Sequence, residues 1–201
     1  MDIITGNAKE LASRIEIESV DFIITDPVYE NIQDYEWLVE IALRVLKPNS
    51  SLIAFCSDIK MFECQRVMSQ RLTFIKPLYY VVHAKQFSAL RGYNIMTWTT
   101  PALWFTKGKH KPHTRTLDTI IAKGAAQGKH KWNKNTEAYR RWIMDFTHKG
   151  DLIFDPFSGS GTVPYVCEQL GRKCIAFEID EQTAKQSQQR LSLIQAIMEI
   201  E

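Results

Sequence analysis

Two apolar, β-branched runs in this chain each end in Asp-Pro. VDFIIT leads into Asp26-Pro27-Val28-Tyr29, and DLIF leads into Asp155-Pro156-Phe157-Ser158-Gly159-Ser160-Gly161-Thr162. An apolar run closed by a carboxylate and a tight turn reads as a buried strand that delivers polar groups to its carboxyl end. In open α/β sheets that edge is where ligands bind. The pair therefore predicts a sheet of mostly parallel strands with two functional turns on one edge.

Five further runs have strand character: Ile3–Thr5, Ser51–Cys56, Phe74–His83, Pro101–Phe105 and Lys173–Glu178, giving seven with Val20–Thr25 and Asp151–Phe154. Helical periodicity separates most of them. Apolar residues at Tyr35, Leu38, Val39, Ala42, Leu43 and Leu46 predict a helix over Asp34–Leu46, stopped by Lys47-Pro48. Asp58 is placed to cap a helix over Ile59–Arg71, with Met61, Phe62 and Met68 as core residues. Further helices are expected at Thr136–Thr147, Val163–Leu170 (ended by Gly171) and Glu181–Ile197. Strands alternating with helices predict an α/β fold with helices on both sheet faces. Residues 1–201 read as a single domain, and residues 107–133 as a small inserted recognition loop with a short helix.

The glycine loop lies between a strand and a helix. Glycine permits a tight turn and close backbone approach, and the helix start offers unpaired N–H groups. The next strand ends in Glu178, 17 residues after Gly161, near the ~20-residue spacing at which an acid accepts ribose hydroxyls. No Lys follows the glycines as in a phosphate loop, and Pro164 breaks the dinucleotide fingerprint. The pattern points to a nucleoside cofactor without a pyrophosphate.

In the first turn, the Asp26 carboxylate and a backbone carbonyl can accept both hydrogens of an exocyclic amino group, while Tyr29 offers a stacking face. Such an amine is a poor nucleophile because its lone pair is delocalised into the ring. Two acceptors on its hydrogens favour a pyramidal nitrogen and stabilise the positive charge it develops. The target atom is inaccessible in a duplex, so the base must be flipped out.

Charge is uneven along the chain. Net charge is +2, yet residues 107–149 hold 11 Lys/Arg against Asp118, Glu137 and Asp145, and the remainder is net negative. A basic block on a near-neutral chain is the footprint of a nucleic-acid binder. Arg91-Gly92-Tyr93 is a candidate phosphate contact, and Trp132 a candidate base-stacking or packing residue. His110, His113 and His130 read as solvated loop residues. The cysteines, Cys56, Cys64, Cys167 and Cys174, have neither CxxC spacing nor clustered His, so free thiols and no metal site are expected. The start lacks a basic, apolar leader and no run approaches a membrane span, so a cytoplasmic protein is expected.

Taken in order, SVDFIITDPVY, RVLKPNSSLIAF, ALWFTKGK, GDLIFDPFSGSGT and LGRKCIAFEIDEQTAKQSQQRL resemble the S-adenosylmethionine-dependent DNA amino-methyltransferases. The closest group is the permuted β-type, in which the D/S/N-P-P-Y/F/W motif precedes the F-x-G-x-G motif. The resemblance implies a Rossmann-like methyltransferase fold with circularly permuted motif order and one antiparallel strand among seven. It implies S-adenosylmethionine as cofactor and, as partner, double-stranded DNA with a flipped base; Asp at the head of DPVY, where the cytosine-N4 enzymes more often carry Ser, favours adenine N6. A restriction-modification setting and a homodimer are also implied. Carried across by matching motif, Asp26, Pro27 and Tyr29 are catalytic. Asn7, Asp26, Lys134, Asp155, Phe157, Ser158, Gly159, Ser160, Gly161, Thr162 and Glu178 line the cofactor. Val28 departs from the family's second Pro, and Asn7 stands where an acid is usual. Alternatives are a cytosine-N4 enzyme, a non-catalytic nucleic-acid-binding subunit that keeps the fold, or an enzyme acting on RNA or a glutamine amide.

Overall fold

A computed structural model describes residues 3–81, 88–90, 95–122 and 136–198. Strands β1 (Ile3–Thr5), β2 (Val20–Thr25), β3 (Leu46–Phe55), β4 (Thr73–Val81), β7 (Thr99–Lys107), β8 (Thr119–Ile121), β9 (Leu152–Asp155) and β10 (Lys173–Glu178) form one sheet in the order β1-β10-β9-β2-β3-β7-β4-β8. A separate two-stranded hairpin, β5 (Ser88–Leu90) with β6 (Ile95–Thr97), lies between β4 and β7 in the chain. In the large sheet only β7 runs antiparallel to its neighbours.

Helices α1 (Ala8–Leu11), α2 (Ile32–Val45) and α3 (Met61–Met68) cover one face. Helices α4 (Glu137–Phe146), α5 (Thr162–Leu170) and α6 (Glu181–Met198) cover the other. Central strands are buried on both sides, which explains why β2 reads as a nearly continuous apolar run. Phe22 and Ile24 enter the core under α4–α6, while Ile23 enters the core under α1–α3. Trp142 and Phe146 of α4 anchor the first core. Phe146 stacks on Phe22 at 5.2 Å between ring centroids and meets Trp104 edge-on at 4.9 Å. On the opposite face Tyr35, Leu38 and Val45 of α2 are buried, and the Tyr35 hydroxyl donates to the Phe55 carbonyl at 2.8 Å.

All seven expected strands form, and an eighth joins them. β8 occupies Thr119–Ile121, inside the stretch expected as a loop with a short helix, and pairs in parallel with β4. Its three β-branched residues suit an edge strand, and Ile120 is buried. Lys47-Pro48 does not separate α2 from the next strand. β3 begins at Leu46 and runs through both residues, with a register shift opposite β2 and Asn49 at φ 61°. α3 is shorter than expected, and Asp58 does not cap it. The Ser57 hydroxyl accepts the Lys60 N–H at 3.2 Å, whereas the Asp58 carboxylate accepts from the Thr97 hydroxyl at 3.2 Å. Met68 is core, but Phe62 is 75% exposed because it lies on the outer face of the short helix. All four cysteines are buried free thiols.

At the amino edge of the sheet, where β3 starts and β7 ends, His110 is not a solvated loop residue. Its Nδ1 lies 2.6 Å from the buried Ser51 hydroxyl, which also accepts the Trp104 indole N–H at 3.0 Å. Its ring packs against Phe146, and the neighbouring His113 ring lies 3.6 Å from that of His148. Burial, then the adjacent His113, lowers the His110 pKa; burial, then His148, lowers that of His113. The folded state thus favours neutral rings. This contribution is complete above the unfolded value near 6.5 and is lost as pH falls through the lower folded values. Urea unfolding should show midpoints falling from pH 7 towards pH 5, with a shallower slope in His110→Gln.

Candidate active site

Strands β2 and β9 lie side by side, with Phe22 opposite Ile153 and Ile23 opposite Phe154. From β2 the chain moves outward to β3, and from β9 it moves the other way to β10. The two departures open a crevice at the carboxyl edge, the topological switch point of such sheets. Asp26 emerges from β2 into this crevice and Asp155 closes β9 beside it. One pocket, of about 340 Å³ including its open mouth, is lined by Asp26, Tyr139, Asp155, Phe157, Ser158, Gly159, Thr162 and Val163.

The two turns are joined by a buried hydrogen bond. The Thr25 hydroxyl donates to Asp155 Oδ1 at 2.7 Å, and the Phe157 N–H approaches the same oxygen at 3.3 Å. Thr25 and Asp155 are both buried, so the bond fixes the last residue of one strand against the first residue of the glycine loop. Phe157 is steadied from the other side by Trp37 of α2, edge to face at 5.8 Å.

The glycines have different tasks. Gly159 has φ +50°, and a Cβ there would meet open space. Gly161 has φ +73°, and a Cβ there would lie 3.0 Å from Ile3 Cδ1 and 3.1 Å from Ser187 Cβ. Gly159 is therefore suited to ligand approach. Gly161 lets the loop pack on β1 and α6, and it also opens α5 in a left-handed conformation. Ser160 belongs with it: its carbonyl faces Arg190 of α6, and neither Ser160 nor Gly161 lines the pocket.

Glu178 ends β10 one strand beyond the loop. Its Oε2 accepts the Gly159 N–H at 2.7 Å and its Oε1 accepts the Asp180 N–H at 2.9 Å. Each carboxylate oxygen keeps a second lone pair, so the clamp orients Glu178 without exhausting it. Asn7 follows β1 at the same edge, next to the Gly6 N–H that donates to the Glu178 carbonyl at 2.8 Å. Its side chain caps α1 by accepting the Lys9 N–H at 2.9 Å.

In the first turn Pro27 is buried and Val28 is 64% exposed. The Val28 carbonyl accepts the Asn31 N–H at 3.0 Å, closing the turn. Tyr29 is not simply displayed at the surface. It is half-buried against the core, and burial, reinforced by the Asp26 carboxylate through charge and a hydrogen bond, raises its pKa. Tyr139, on the first turn of α4, was legible only as an apolar helix-face residue. It lines the pocket beside both carboxylates. Burial, then Asp26, Tyr29 and Asp155, raises its pKa well above the ordinary phenol value, so the hydroxyl stays protonated. Lys134, Arg91-Gly92-Tyr93, His130 and Trp132 lie outside the described residues. Among the described residues no cluster of three or more His, Cys, Asp or Glu side chains could hold a metal ion, and no helix is long and apolar enough to cross a membrane.

Thr25→Val should remove the donor to a buried carboxylate and cost about 2–3 kcal/mol. Urea unfolding at neutral pH measures this, and the loss should shrink in Thr25→Ser, which retains the hydroxyl.

Known proteins resemble the chain in sequence and in fold. Residues 120–189 match the N6_N4_Mtase family model, described as DNA methylase. The Type II methyltransferase M.HpaI of Haemophilus parainfluenzae is 27% identical over 94% of this chain and 73% of its own. M2.MboI of Moraxella bovis is 23% identical over 100% of this chain and 90% of its own. Among solved structures, the M1.HpyAVI–SAM complex superposes with a TM-score of 0.78 at 23% identity, covering 94% of this chain and 98% of that one. The cytosine-N4-specific PvuII DNA methyltransferase superposes with a TM-score of 0.79 at 15% identity, covering 96% and 90%. The chain, by its motifs, its sequence relatives and its Rossmann-like fold together, is similar to the DNA amino-methyltransferases.

Proposed function

We propose that the chain transfers the methyl group of S-adenosylmethionine to the exocyclic amino group of a flipped base in double-stranded DNA, adenine N6 being the favoured target. The supporting observation is the shared pocket lined by Asp26 from one turn and by Asp155, Phe157, Ser158, Gly159, Thr162 and Val163 from the other. An amine held by the first turn would stand beside a nucleoside held by the second, and such alignment supplies much of the catalysis.

The pocket suits a polar nucleoside. Ser158 Oγ is buried there and makes no hydrogen bond among the described residues, a costly state unless a ligand provides a partner. Gly159 leaves room for a ligand, Glu178 is positioned for a ribose, and the Thr162 and Val163 N–H groups begin α5 at the pocket wall. Phe157, braced by Trp37, provides an apolar wall. Asn7, Ser160 and Gly161 shape the surrounding backbone, and Lys134 is assigned by motif alone. When bound, S-adenosylmethionine supplies an electrophilic methyl group on sulfonium.

The protein's part is to present the nucleophile. Asp26 and the Pro27 carbonyl accept the two amino hydrogens, since the Val28 carbonyl is engaged by Asn31. Tyr29 and Tyr139 remain neutral, and the Asp26 carboxylate stabilises the positive charge that develops on nitrogen. Asp26 then receives the released proton directly or through water. Aspartate at the head of the DPVY string favours adenine, because the cytosine-N4 enzymes resembled here more often carry Ser there. The fold itself is neutral on this point, being shared with the cytosine-N4-specific PvuII enzyme.

Nucleoside mass spectrometry of unmethylated DNA incubated with the protein and S-adenosylmethionine should show N6-methyladenine. Asp26→Ala should lower the rate at saturating S-adenosylmethionine by at least about 100-fold. N4-methylcytosine would overturn the choice of base, and undiminished methylation by Asp26→Ala would overturn the mechanism.

A further inference from the structure

The described lysines of the basic block, Lys107, Lys109, Lys111 and Lys149, lie away from the pocket. β7 ends at Lys107 beside the start of β3, so the residues that follow sit at the amino edge of the sheet, opposite Asp26. The Lys109 N–H donates to Asn49 Oδ1 at 2.9 Å, and the His113 N–H to the Asp145 carbonyl at 2.7 Å. The His113 ring centroid lies 3.6 Å from that of His148, on the turn that leads into β9. Beyond it the Gly150 N–H donates to the Gly171 carbonyl at 2.9 Å, and Lys173 opens β10. These contacts join three stretches, residues 108–113, 147–151 and 171–173, into one band.

Lys109, Lys111, Lys149 and Lys173 are exposed along this band and make no ion pair among the described residues. The acids of the loops around it are mostly engaged. Glu18 pairs with Lys107 at 2.9 Å and Asp21 with Lys47 at 2.6 Å, while the Asp151 carboxylate accepts the His148 N–H at 2.7 Å. Glu16 is exposed, but it follows Ile15 of the α1–α3 core, on the other side of the sheet from α4. The carboxyl edge has the opposite character: Asp26, Glu30, Asp58, Glu178 and Asp180 gather at its strand ends.

From Lys173 to the end of β7 the band crosses four strand spacings, about 19 Å. A duplex laid along it presents a phosphate about every 3.4 Å of axis on each strand. Four lysines over that length can meet several phosphates, and such contacts carry no sequence information. The six residues of β2 set the two edges about 20 Å apart, so a stiff duplex seated at Asp26 cannot also lie along these lysines.

We infer that the amino edge is a second, sequence-independent site for double-stranded DNA, with Lys109, Lys111, Lys149 and Lys173 on the phosphates of a duplex other than the one at the pocket. The choice of DNA among polyanions rests on the proposed function. Such a site keeps the protein on a neighbouring segment of a long DNA while the pocket releases one target and meets the next.

The test uses the full chain and duplexes far below the persistence length of about 150 base pairs, which cannot bend from one edge to the other. At low salt, sedimentation equilibrium should count one more duplex per chain for the wild type than for Lys109→Gln/Lys111→Gln/Lys149→Gln/Lys173→Gln. The matching Lys→Arg variant should keep the extra duplex. Its affinity should fall with salt at a log–log slope of about −3.6, as four phosphate contacts require. Methyl transfer to a short duplex containing the site found by methylation mapping should agree within twofold between wild type and the Lys→Gln variant. Equal duplex counts would overturn the second site and leave the proposed function standing. A loss of methyl transfer above fivefold on the short duplex would also overturn it, by placing the lysines in the catalytic complex. Tighter binding of double-stranded RNA than of DNA at the extra position would overturn the choice of DNA. A wild-type chain that methylates no DNA yet binds the extra duplex would overturn the proposed function alone.

Discussion

The carboxyl edge depends on one buried contact, the hydrogen bond from Thr25 to Asp155. β2 and β9 are separated by more than a hundred residues, yet their ends must stay within a few ångströms for two chemically different turns to form one pocket. The sheet brings the strands together through the Phe22–Ile153 and Ile23–Phe154 register. The hydroxyl–carboxylate pair then fixes their ends, where ladder hydrogen bonds give out and side chains must take over. Because both groups are removed from water, the bond also settles a charge that would otherwise be buried at a cost. Asp155 thus has a structural duty that the pocket's other carboxylate, Asp26, does not share.

The switch point explains how a small chain brings two turns and both helical layers to one pocket. Outward chain travel from β2 and β9 in opposite directions leaves the crevice between them unobstructed, and each helix that follows packs on a different face. α2 sends Trp37 to Phe157 from one side, and α4 sends Tyr139 to the carboxylates from the other. Both helical layers therefore contribute to a single pocket. The opposite edge of the sheet has another character. There His110, Ser51 and Trp104 form a chain of hydrogen bonds above Phe146, a polar plug over an aromatic core.

What the sequence made legible was local. DPVY and DPFSGSGT each combine strand, carboxylate and turn within a dozen residues, so their place at the carboxyl edge could be read before their proximity was known. Glu178 was legible by its spacing from Gly161. Tyr139 was not, because helical periodicity places a residue on a buried face without naming what that face meets. Thr25 looked like the end of a strand; only the parallel register showed that it faces Asp155. β8 escaped notice because three β-branched residues carry too little pattern to distinguish strand from loop, and Phe62 was misjudged because α3 is too short to bury its whole apolar set. His110 read as loop because nothing local predicts that Ser51, 59 positions earlier, would receive it.

The bracing of the glycine loop has a consequence for how the protein acquires its pocket. Gly161 packs against Ile3 and Ser187, the Ser187 hydroxyl donates to the Gly159 carbonyl at 2.9 Å, and the Ile3 N–H donates to Gln188 at 2.8 Å. The loop is thus clasped by segments that lie 185 positions apart. Contacts of such separation are slow to form, and on the ribosome the α6 half of the clasp is synthesised after every strand of the sheet. The DPVY turn can reach its final shape with the central strands alone, whereas the DPFSGSGT loop must wait for α6. With the loop holding S-adenosylmethionine as proposed, a nascent chain would be unable to engage the cofactor until its sheet was closed at β1, so cofactor affinity would itself measure the closure of the sheet.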